Sequence, residues 1–126
     1  MGFIYFNPNP LEKSIGDCTI RAISLFLDQD WYETYIGIAI TGLIECDMPS
    51  SNSVWGKYLH EKRCRRIQLP DTCPICYTVR DFCKDNPFGK FLLGTGSHVV
   101  TVIDGNYYDT WDSGDQIPIF YWVKGD

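Results

Sequence analysis

The hydrophobic residues in the first part of the chain recur with the spacing of an α-helix. Ile20, Ile23 and Leu27 share one side of a segment that begins at Cys18, and Asp17 is a residue type that caps helices. This pattern predicts a buried helix from Cys18 to about Leu27.

Two more helices are expected before residue 67. Asp30 is in place to cap the second, whose predicted apolar side consists of Tyr32, Tyr35, Ile36, Ala39, Ile40 and Leu43. Ser51 or Ser53 opens a third, shorter helix that ends near the basic cluster at 62–66. We expect the large aromatic residues to lie mainly in the core: Trp31, Tyr32, Tyr35, Trp55, Tyr107, Tyr108 and Trp122.

The pattern changes after a fourth, short helix. Thr78 and Asp81 form a predicted capping box for a helix from Val79 to Asp85, and Pro87 prevents its continuation. Beyond Pro87, short segments rich in β-branched and aromatic residues are separated by glycine-containing turns. They predict strands at 90–93, 98–103, 106–111 and 117–123. We therefore expect an α+β fold, with N-terminal helices packed on a C-terminal antiparallel sheet.

The clearest turn signal lies between the second and third of these strands. Asp104-Gly105 suits a two-residue hairpin loop, because both turn positions must tolerate positive φ. Such a turn pairs Ile103 with Asn106 and, further along the two strands, places His98 opposite Trp111.

Composition and charge limit the classes of function. The chain has 126 residues, of which 44% are hydrophobic and 21% charged, without a repeat or a linker-like segment, so we expect a single domain over residues 1–126. A net charge of −5 disfavours nucleic acid as a partner, and the longest apolar stretch is too short to cross a membrane. Because the N-terminus has no secretion-signal pattern, we expect a cytoplasmic protein.

One of the six cysteines lies where a thiol becomes reactive. Cys18 opens a predicted helix, and the partial positive charge of a helix N-terminus lowers the pKa of a thiol there. The chain offers two histidines as a base for it. His60 is expected on the solvent side of its helix, whereas His98 opens a strand after a glycine-containing turn, so His98 is the candidate.

The hairpin register also supplies a carboxylate beside His98. With a two-residue turn, Asp109 lies diagonally across from His98 on the same face, where it can accept a hydrogen bond from the imidazole. If the loop is one residue longer, Asp112 takes that place instead. Both residues are candidates for the third member of a triad.

These residues resemble three motifs of the papain-like cysteine peptidases. Gly16-Asp17-Cys18 is similar to the Gly-Ser-Cys that opens the family's nucleophile helix, and His98 is followed by an apolar strand. Asp109-Thr110-Trp111 is similar to the family's Asn-Ser-Trp. The resemblance, which is to compact bacterial and phage members, implies a triad of Cys18, His98 and Asp109, with Trp111 shielding the pair from water. It implies a peptide or protein substrate and no cofactor or metal.

The oxyanion donor departs from the family pattern. The family has a glutamine six residues before its cysteine, and this chain has Glu12 there. Asn9 is our first alternative donor and Asn7 the second, because each has a side-chain amide in a segment stiffened by proline. Turn formation explains both asparagines equally well. The backbone N–H of Cys18 is the other expected donor.

Two further patterns involve thiols and a buried cation. Cys73 and Cys76 form a C-x2-C, and a structural zinc ion could be completed by Cys64 and Cys83. Arg21 lies one turn after Cys18 in an apolar helix, where an unpaired guanidinium is costly, so we expect it to pair with a carboxylate such as that of Asp17 or Glu12.

The sequence therefore predicts a cysteine peptidase or amidase-type hydrolase that transfers acyl groups through a Cys-His-Asp triad. Two alternatives stay open. One is a non-catalytic binding or inhibitor protein on a papain-like scaffold, and the other is a zinc-stabilised interaction module.

Overall fold

Three helices follow the first strand and four strands end the fold, in a computed structural model that describes residues 2–72 and 74–125. The helices in this part of the chain are α1 (Cys18–Leu27), α2 (Trp31–Glu45), α3 (Asn52–Glu61) and α4 (Val79–Asp85). The strands are β1 (Phe3–Tyr5), β2 (Cys64–Gln68), β3 (Lys90–Gly94), β4 (Val99–Ile103), β5 (Asn106–Asp109) and β6 (Phe120–Lys124). The α+β class is confirmed. None of the helices in the described ranges has both the length and the apolar character that crossing a membrane requires.

The strands form a mixed sheet with the spatial order β1-β5-β4-β3-β6-β2. β1 runs parallel to β5, and the other neighbouring pairs are antiparallel. The expectation of a purely antiparallel, C-terminal sheet is therefore wrong, since β1 and β2 come from the first and middle parts of the chain. β1 has only three residues and β2 begins with Cys64-Arg65-Arg66, so neither shows the extended apolar pattern of the other strands.

The helices cover both faces of the sheet. Because side chains alternate along a strand, Leu92 and Leu93 of β3 point to opposite faces. Leu92 belongs to a core cluster with Ile23 and Trp55 from α1 and α3, whereas Leu93 packs in a second cluster with Phe82 of α4. The protein thus has one core on each side of the sheet.

The buried side of α2 differs from the prediction. Its buried residues are Thr34, Ile38, Thr41 and Gly42, whereas the predicted apolar side is more than half exposed at Tyr32, Tyr35, Ile36, Ile40 and Leu43. Apolar residues occur on every side of this helix, so their spacing does not indicate which side faces the core.

The β4–β5 hairpin has the predicted register. Ile103 pairs with Asn106, and the turn residues Asp104 and Gly105 have φ values of 49° and 78°. Positive φ at both positions is what a two-residue type I′ turn requires. The register therefore brings the end of β5 close to His98, which directly precedes β4.

Helix α1 packs across this hairpin. The Thr101 hydroxyl of β4 donates to the Ala22 carbonyl of α1 at 2.6 Å, and Val99 lies in the same core cluster as Ile20 and Ile23. The fold thus places α1 against β4, which directly follows the predicted base, and against β5, which ends at the predicted carboxylate.

Candidate active site

Cys18 is the first residue of α1, and it lines a cavity of about 500 Å³ together with His98 and Trp111. Other parts of the wall are polar, including Ser14, Ser97 and Thr110, and Arg21 adds a charged side chain. A cavity of this size that brings a thiol and an imidazole together is a candidate binding site for a substrate.

The environment of Cys18 favours its thiolate. Burial by itself raises the pKa of this thiol, because a buried thiolate is poorly solvated. Hydrogen bonds from the His98 side chain and the Val99 backbone N–H, with the positive charges of His98 and Arg21, outweigh burial and hold the pKa below its ordinary value.

His98 lies between Cys18 and Asp109. Its Nε2 is 2.6 Å from Asp109 Oδ2, which leaves Nδ1 for the hydrogen bond to the Cys18 thiol. Burial lowers the pKa of this imidazole, but the bonds to Asp109 and Cys18 outweigh that effect and raise the pKa to about 9. The Trp111 ring packs against the His98 ring, with centroids 4.8 Å apart. The arrangement thus favours an imidazolium beside a thiolate at neutral pH.

Asp109 is fully buried and accepts four hydrogen bonds. Oδ2 accepts from His98 and from the Ser113 hydroxyl, each at 2.6 Å, while Oδ1 accepts from Arg21 Nη2 at 2.9 Å and the Thr110 amide at 2.8 Å. Burial raises the pKa of this carboxyl, but the bonds from His98 and Ser113 outweigh it and keep the pKa below its usual value. The carboxylate is therefore fixed in position and ionised.

Arg21 connects Asp109 to a second buried carboxylate. The guanidinium is only 4% exposed, and its Nη1 donates to Asp17 Oδ1 at 2.7 Å. Asp17 Oδ2 in turn accepts from the indole N–H of Trp31 at 2.9 Å. The predicted pairing of Arg21 with Asp17 is confirmed, whereas Glu12 is exposed to solvent. The additional ion pair between Arg21 and Asp109 links α1 directly to the candidate triad.

The start of α1 lacks the expected side-chain cap. Asp17 occupies the N-cap position, but in the described structure its carboxylate makes no hydrogen bond to the first-turn amides. Its oxygens are engaged by Arg21 and Trp31 instead. The N–H groups of the first turn, including that of Cys18, are thereby left to a ligand or to solvent at the end of the helix where anions bind favourably.

The two asparagines expected as oxyanion donors form turns. Asn9 Oδ1 accepts from the Leu11 amide at 2.9 Å, and Asn7 Nδ2 donates to the Lys13 carbonyl at 3.2 Å. Asn7 Oδ1 also accepts from the Asn9 amide at 3.1 Å. Among the described residues that line the cavity, neither asparagine is present. The geometry therefore favours turn formation as the role of both.

Asp112 is placed away from His98. Its carboxylate accepts from Arg80 Nη2 at 3.0 and 3.1 Å and from the Tyr107 hydroxyl, and its side chain is about half exposed. The two-residue turn thus selects Asp109 over Asp112 as the carboxylate that contacts the imidazole.

Of the four cysteines considered as zinc ligands, the three that the structure describes are not gathered. Cys64 lies in the core cluster beneath α1, α2 and α3, and Cys83 lies in the cluster beneath α4 on the other face of the sheet. Cys76 is exposed, and Cys73 lies outside the described residues. Within the described ranges, no three His, Cys, Asp or Glu side chains are grouped so that they could hold a metal ion. A zinc site made from all four cysteines is therefore wrong.

Some residues of the site carry no sequence signal of their own. Ser113 belongs to no recognisable motif, yet it is fully buried and its hydroxyl donates to Asp109. Asn52 lines the cavity, and its Oδ1 accepts from Trp55 Nε1 at 3.1 Å, which orients the side-chain amide. Arg21 did carry a signal, because a cation in an apolar helix needs anionic partners, but two carboxylates rather than one meet that need.

Comparison with known proteins adds no assignment. No protein-family model matches the chain, and neither a curated protein nor a solved structure is significantly similar to it. The geometry and electrostatics of the site are therefore the basis for proposing a function.

Proposed function

We propose that this protein is a papain-like thiol hydrolase that cleaves a peptide or another amide bond. The observation that carries the proposal is the continuous contact from Asp109 through His98 to Cys18 at the wall of an open cavity. A nucleophile, a base and a residue that orients the base are the parts that acyl transfer requires.

Acylation begins with attack by the Cys18 thiolate on the substrate carbonyl carbon. A carbon–sulfur bond forms, and the developing oxyanion accepts from the backbone N–H of Cys18 and from the side-chain amide of Asn52, which lines the same cavity. The carbon–nitrogen bond then breaks while the His98 imidazolium transfers its Nδ1 proton to the departing amine. The products of this half-reaction are a thioester on Cys18 and a neutral His98.

Water completes the cycle. Neutral His98 accepts a proton from a water molecule, whose oxygen attacks the thioester carbonyl. The carbon–sulfur bond breaks, the carboxylic acid product leaves, and the thiolate and imidazolium are restored. Because the first half-reaction requires a protonated His98, whose pKa is about 9, turnover is expected to fall above that pH.

The residues around Cys18 and His98 hold the two side chains in the orientation that these steps require. Asp109 fixes the ring orientation of His98 and stabilises its positive charge, while Arg21 and Ser113 hold Asp109. Trp111 covers one side of the imidazole and restricts access of water to the pair.

Two measurements test the proposal. At pH 6, iodoacetamide should label Cys18 at least about tenfold faster than the other five cysteines, because a thiolate is the reacting form. A pool of peptides with diverse sequences, incubated with the protein and analysed by mass spectrometry, should acquire new N-termini that are absent with the Cys18→Ala variant.

The outcomes separate the proposal from its alternative. Equal labelling of all cysteines would show that Cys18 is not activated. Selective labelling without cleavage of any peptide or release of any amine would instead favour a binding protein that retains the scaffold without turnover.

A further inference from the structure

The side of α2 that faces solvent is more apolar than the side that faces the core. Of its four buried residues, two are threonines and one is a glycine. At 3.6 residues per turn, six apolar residues lie within about 140° of arc on the other side. We call this set the α2 face, and it consists of Tyr32, Tyr35, Ile36, Ala39, Ile40 and Leu43. A helix normally turns its apolar side towards other protein, so this orientation indicates a second surface on which α2 packs.

The exposed apolar area of the α2 face is large for a single chain. Its five large side chains and the adjacent Ile44 are between 51% and 78% exposed. At about 200 Å² for each fully exposed side chain of this size, they present about 700 Å² of mainly apolar surface. The largest apolar patch on a typical monomer is about 300–600 Å², whereas a standard interface buries about 800 Å² on each partner. The α2 face therefore has nearly the area of one half of a protein–protein interface.

The charges of α2 favour an uncharged protein surface over a membrane as the occupant. The helix contains no Lys, Arg or His, and its two glutamates, Glu33 and Glu45, lie near its ends. Helices that lie on membranes usually carry cations beside their apolar face, because membrane surfaces are commonly anionic. The α2 face itself has no charged residue that would select a partner of opposite charge. It fits a partner surface that is as apolar as itself, which is typical of homodimer interfaces.

The spacing of the α2 face makes it complementary to a second copy. Reversal of the helix about the point between Gly37 and Ile38 exchanges position 32 with 43, 35 with 40, and 36 with 39. The six positions therefore map onto themselves. A two-fold interface requires this property, because each residue that contacts a second residue on the partner must be contacted by that same residue in return.

We propose that the protein forms a two-fold symmetric dimer in which the α2 faces of two copies pack in antiparallel orientation. Leu43 of each copy packs against Tyr32 of the other, and Tyr35 packs against Ile40. Near the axis the larger Ile36 meets the smaller Ala39, which allows the two helices to approach closely. The inference does not depend on the proposed hydrolase activity, because Cys18 lies on α1 and is not part of the α2 face.

The first test measures the mass of the protein in solution by sedimentation equilibrium, between about 1 and 200 µM. The wild type should reach twice the mass of one chain in this range, because interfaces of this size bind with micromolar affinity or better. Leu43→Glu should raise the dissociation constant at least about 100-fold, because the dimer would bury a carboxylate without a partner. Circular dichroism should show an unchanged fold, since Leu43 is 78% exposed in the single chain.

Phe88→Glu is the matched control. Phe88 is an equally apolar and still more exposed residue, and it lies outside α2, between α4 and β3. The substitution introduces the same charge at the surface, so a general effect of charge on association would appear in this variant too. It should dimerise as the wild type does.

A mixture of two variants tests the antiparallel register. Leu43→Glu and Tyr32→Lys should each weaken self-association. In an antiparallel pair of one chain of each kind, the carboxylate introduced at position 43 meets the ammonium introduced at position 32. The mixture should therefore form a heterodimer at least about tenfold more tightly than either variant pairs with itself.

Each of four results would overturn the inference. A mass of one chain at about 200 µM would exclude the dimer, and a dimer that survives Leu43→Glu would place the contact on another surface. A mixture that associates no better than its components would exclude the antiparallel register. Binding of a monomeric wild type to vesicles of phosphatidylcholine and phosphatidylserine, lost in Leu43→Glu, would assign the α2 face to a membrane. None of these results bears on the labelling of Cys18, so the proposed function and the dimer can fail separately.

Discussion

Cys18 and Cys83 both lie on helices that pack against the sheet, yet their environments have opposite effects on the thiol. Cys83 is 1% exposed in the apolar cluster beneath α4, and burial raises its pKa to about 11. Burial acts in the same direction on Cys18, but contacts with His98 and Val99 reverse the result. Burial alone therefore does not determine the reactivity of these thiols; the charged and hydrogen-bonding neighbours of Cys18 account for the difference.

The neighbours of Cys18 belong to a series of groups with alternating charge. Arg21 lies between the carboxylates of Asp17 and Asp109, and His98 lies between Asp109 and the Cys18 thiolate. Each buried ion is thus flanked by opposite charge, which offsets the cost of removing it from water. Cys83 has no comparable series among the described residues around it. The following substitutions test whether this series is the source of the difference.

The largest expected effect comes from His98→Ala. Removal of the imidazolium leaves burial as the dominant influence on Cys18, so its pKa rises towards the behaviour of Cys83. At pH 6 to 7, alkylation of Cys18 by iodoacetamide should slow by at least about tenfold, and the rise of the rate with pH should move to higher pH. The rate at Cys83 should stay as it is.

His60→Ala is the control for this experiment, since His60 is exposed on α3 and does not line the cavity at Cys18. An unchanged pH profile for Cys18 in His98→Ala would break the comparison, because it would mean that the imidazole does not activate the thiol.

Arg21→Met should produce the largest loss of stability. The substitution leaves Asp17 and Asp109 buried without their shared cation, and breaking a buried ion pair in this way costs about 3–5 kcal/mol. Urea unfolding followed by tryptophan fluorescence measures the loss. Arg80→Met is the matched control, since Arg80 also contacts two carboxylates but does so in partial contact with solvent.

Similar losses for the two arginine variants would contradict the idea that the buried series differs from a surface ion pair. Restoration of stability by Asp17→Asn in the Arg21→Met background would support it, because that change removes one of the uncompensated charges.

Features that depend on neighbouring residues in the chain could be predicted from the sequence. Local signals suffice for the α1 and α4 boundaries, and the Asp104-Gly105 turn determines a register that selects Asp109 over Asp112. These features depend on residues close together in the chain. The turn therefore predicts that Asp109 lies within reach of His98.

Long-range contacts are the part that sequence patterns miss. The pairing of Arg21 with Asp109 spans 88 positions. The pairing of β1 with β5 also joins distant parts of the chain, and nothing in the short sequence of β1 indicates which strand it will pair with. The exposed face of α2 is a second example, because a helix that is apolar on all sides gives no periodic signal of its orientation. Tertiary packing determines these long-range pairs and the orientation of α2.

Cys83→Ser tests the apolar side of the comparison. A hydroxyl in place of the thiol in this cluster lacks a good partner, so a loss of about 1–3 kcal/mol in the free energy of unfolding is expected. Cys18→Ser should cost less, because that side chain lies at a cavity with polar walls. Equal losses in urea unfolding would show that the two sites do not differ in polarity.

The smallest effect is expected for Asp112→Asn. Asp112 is near Asp109 in sequence, but its half-exposed carboxylate pairs with Arg80 at the surface, where ion pairs contribute little and are screened by salt. The alkylation rate of Cys18 at pH 6 should therefore change by less than about twofold, as expected for a charge outside the buried series. Asp109→Asn should slow the same reaction much more, because it removes the carboxylate that stabilises the His98 imidazolium. If Asp112→Asn instead slowed alkylation more than Asp109→Asn does, Asp112 would be the third member of the triad. The half-exposed Asp112, and not the buried Asp109, would then stabilise the imidazolium.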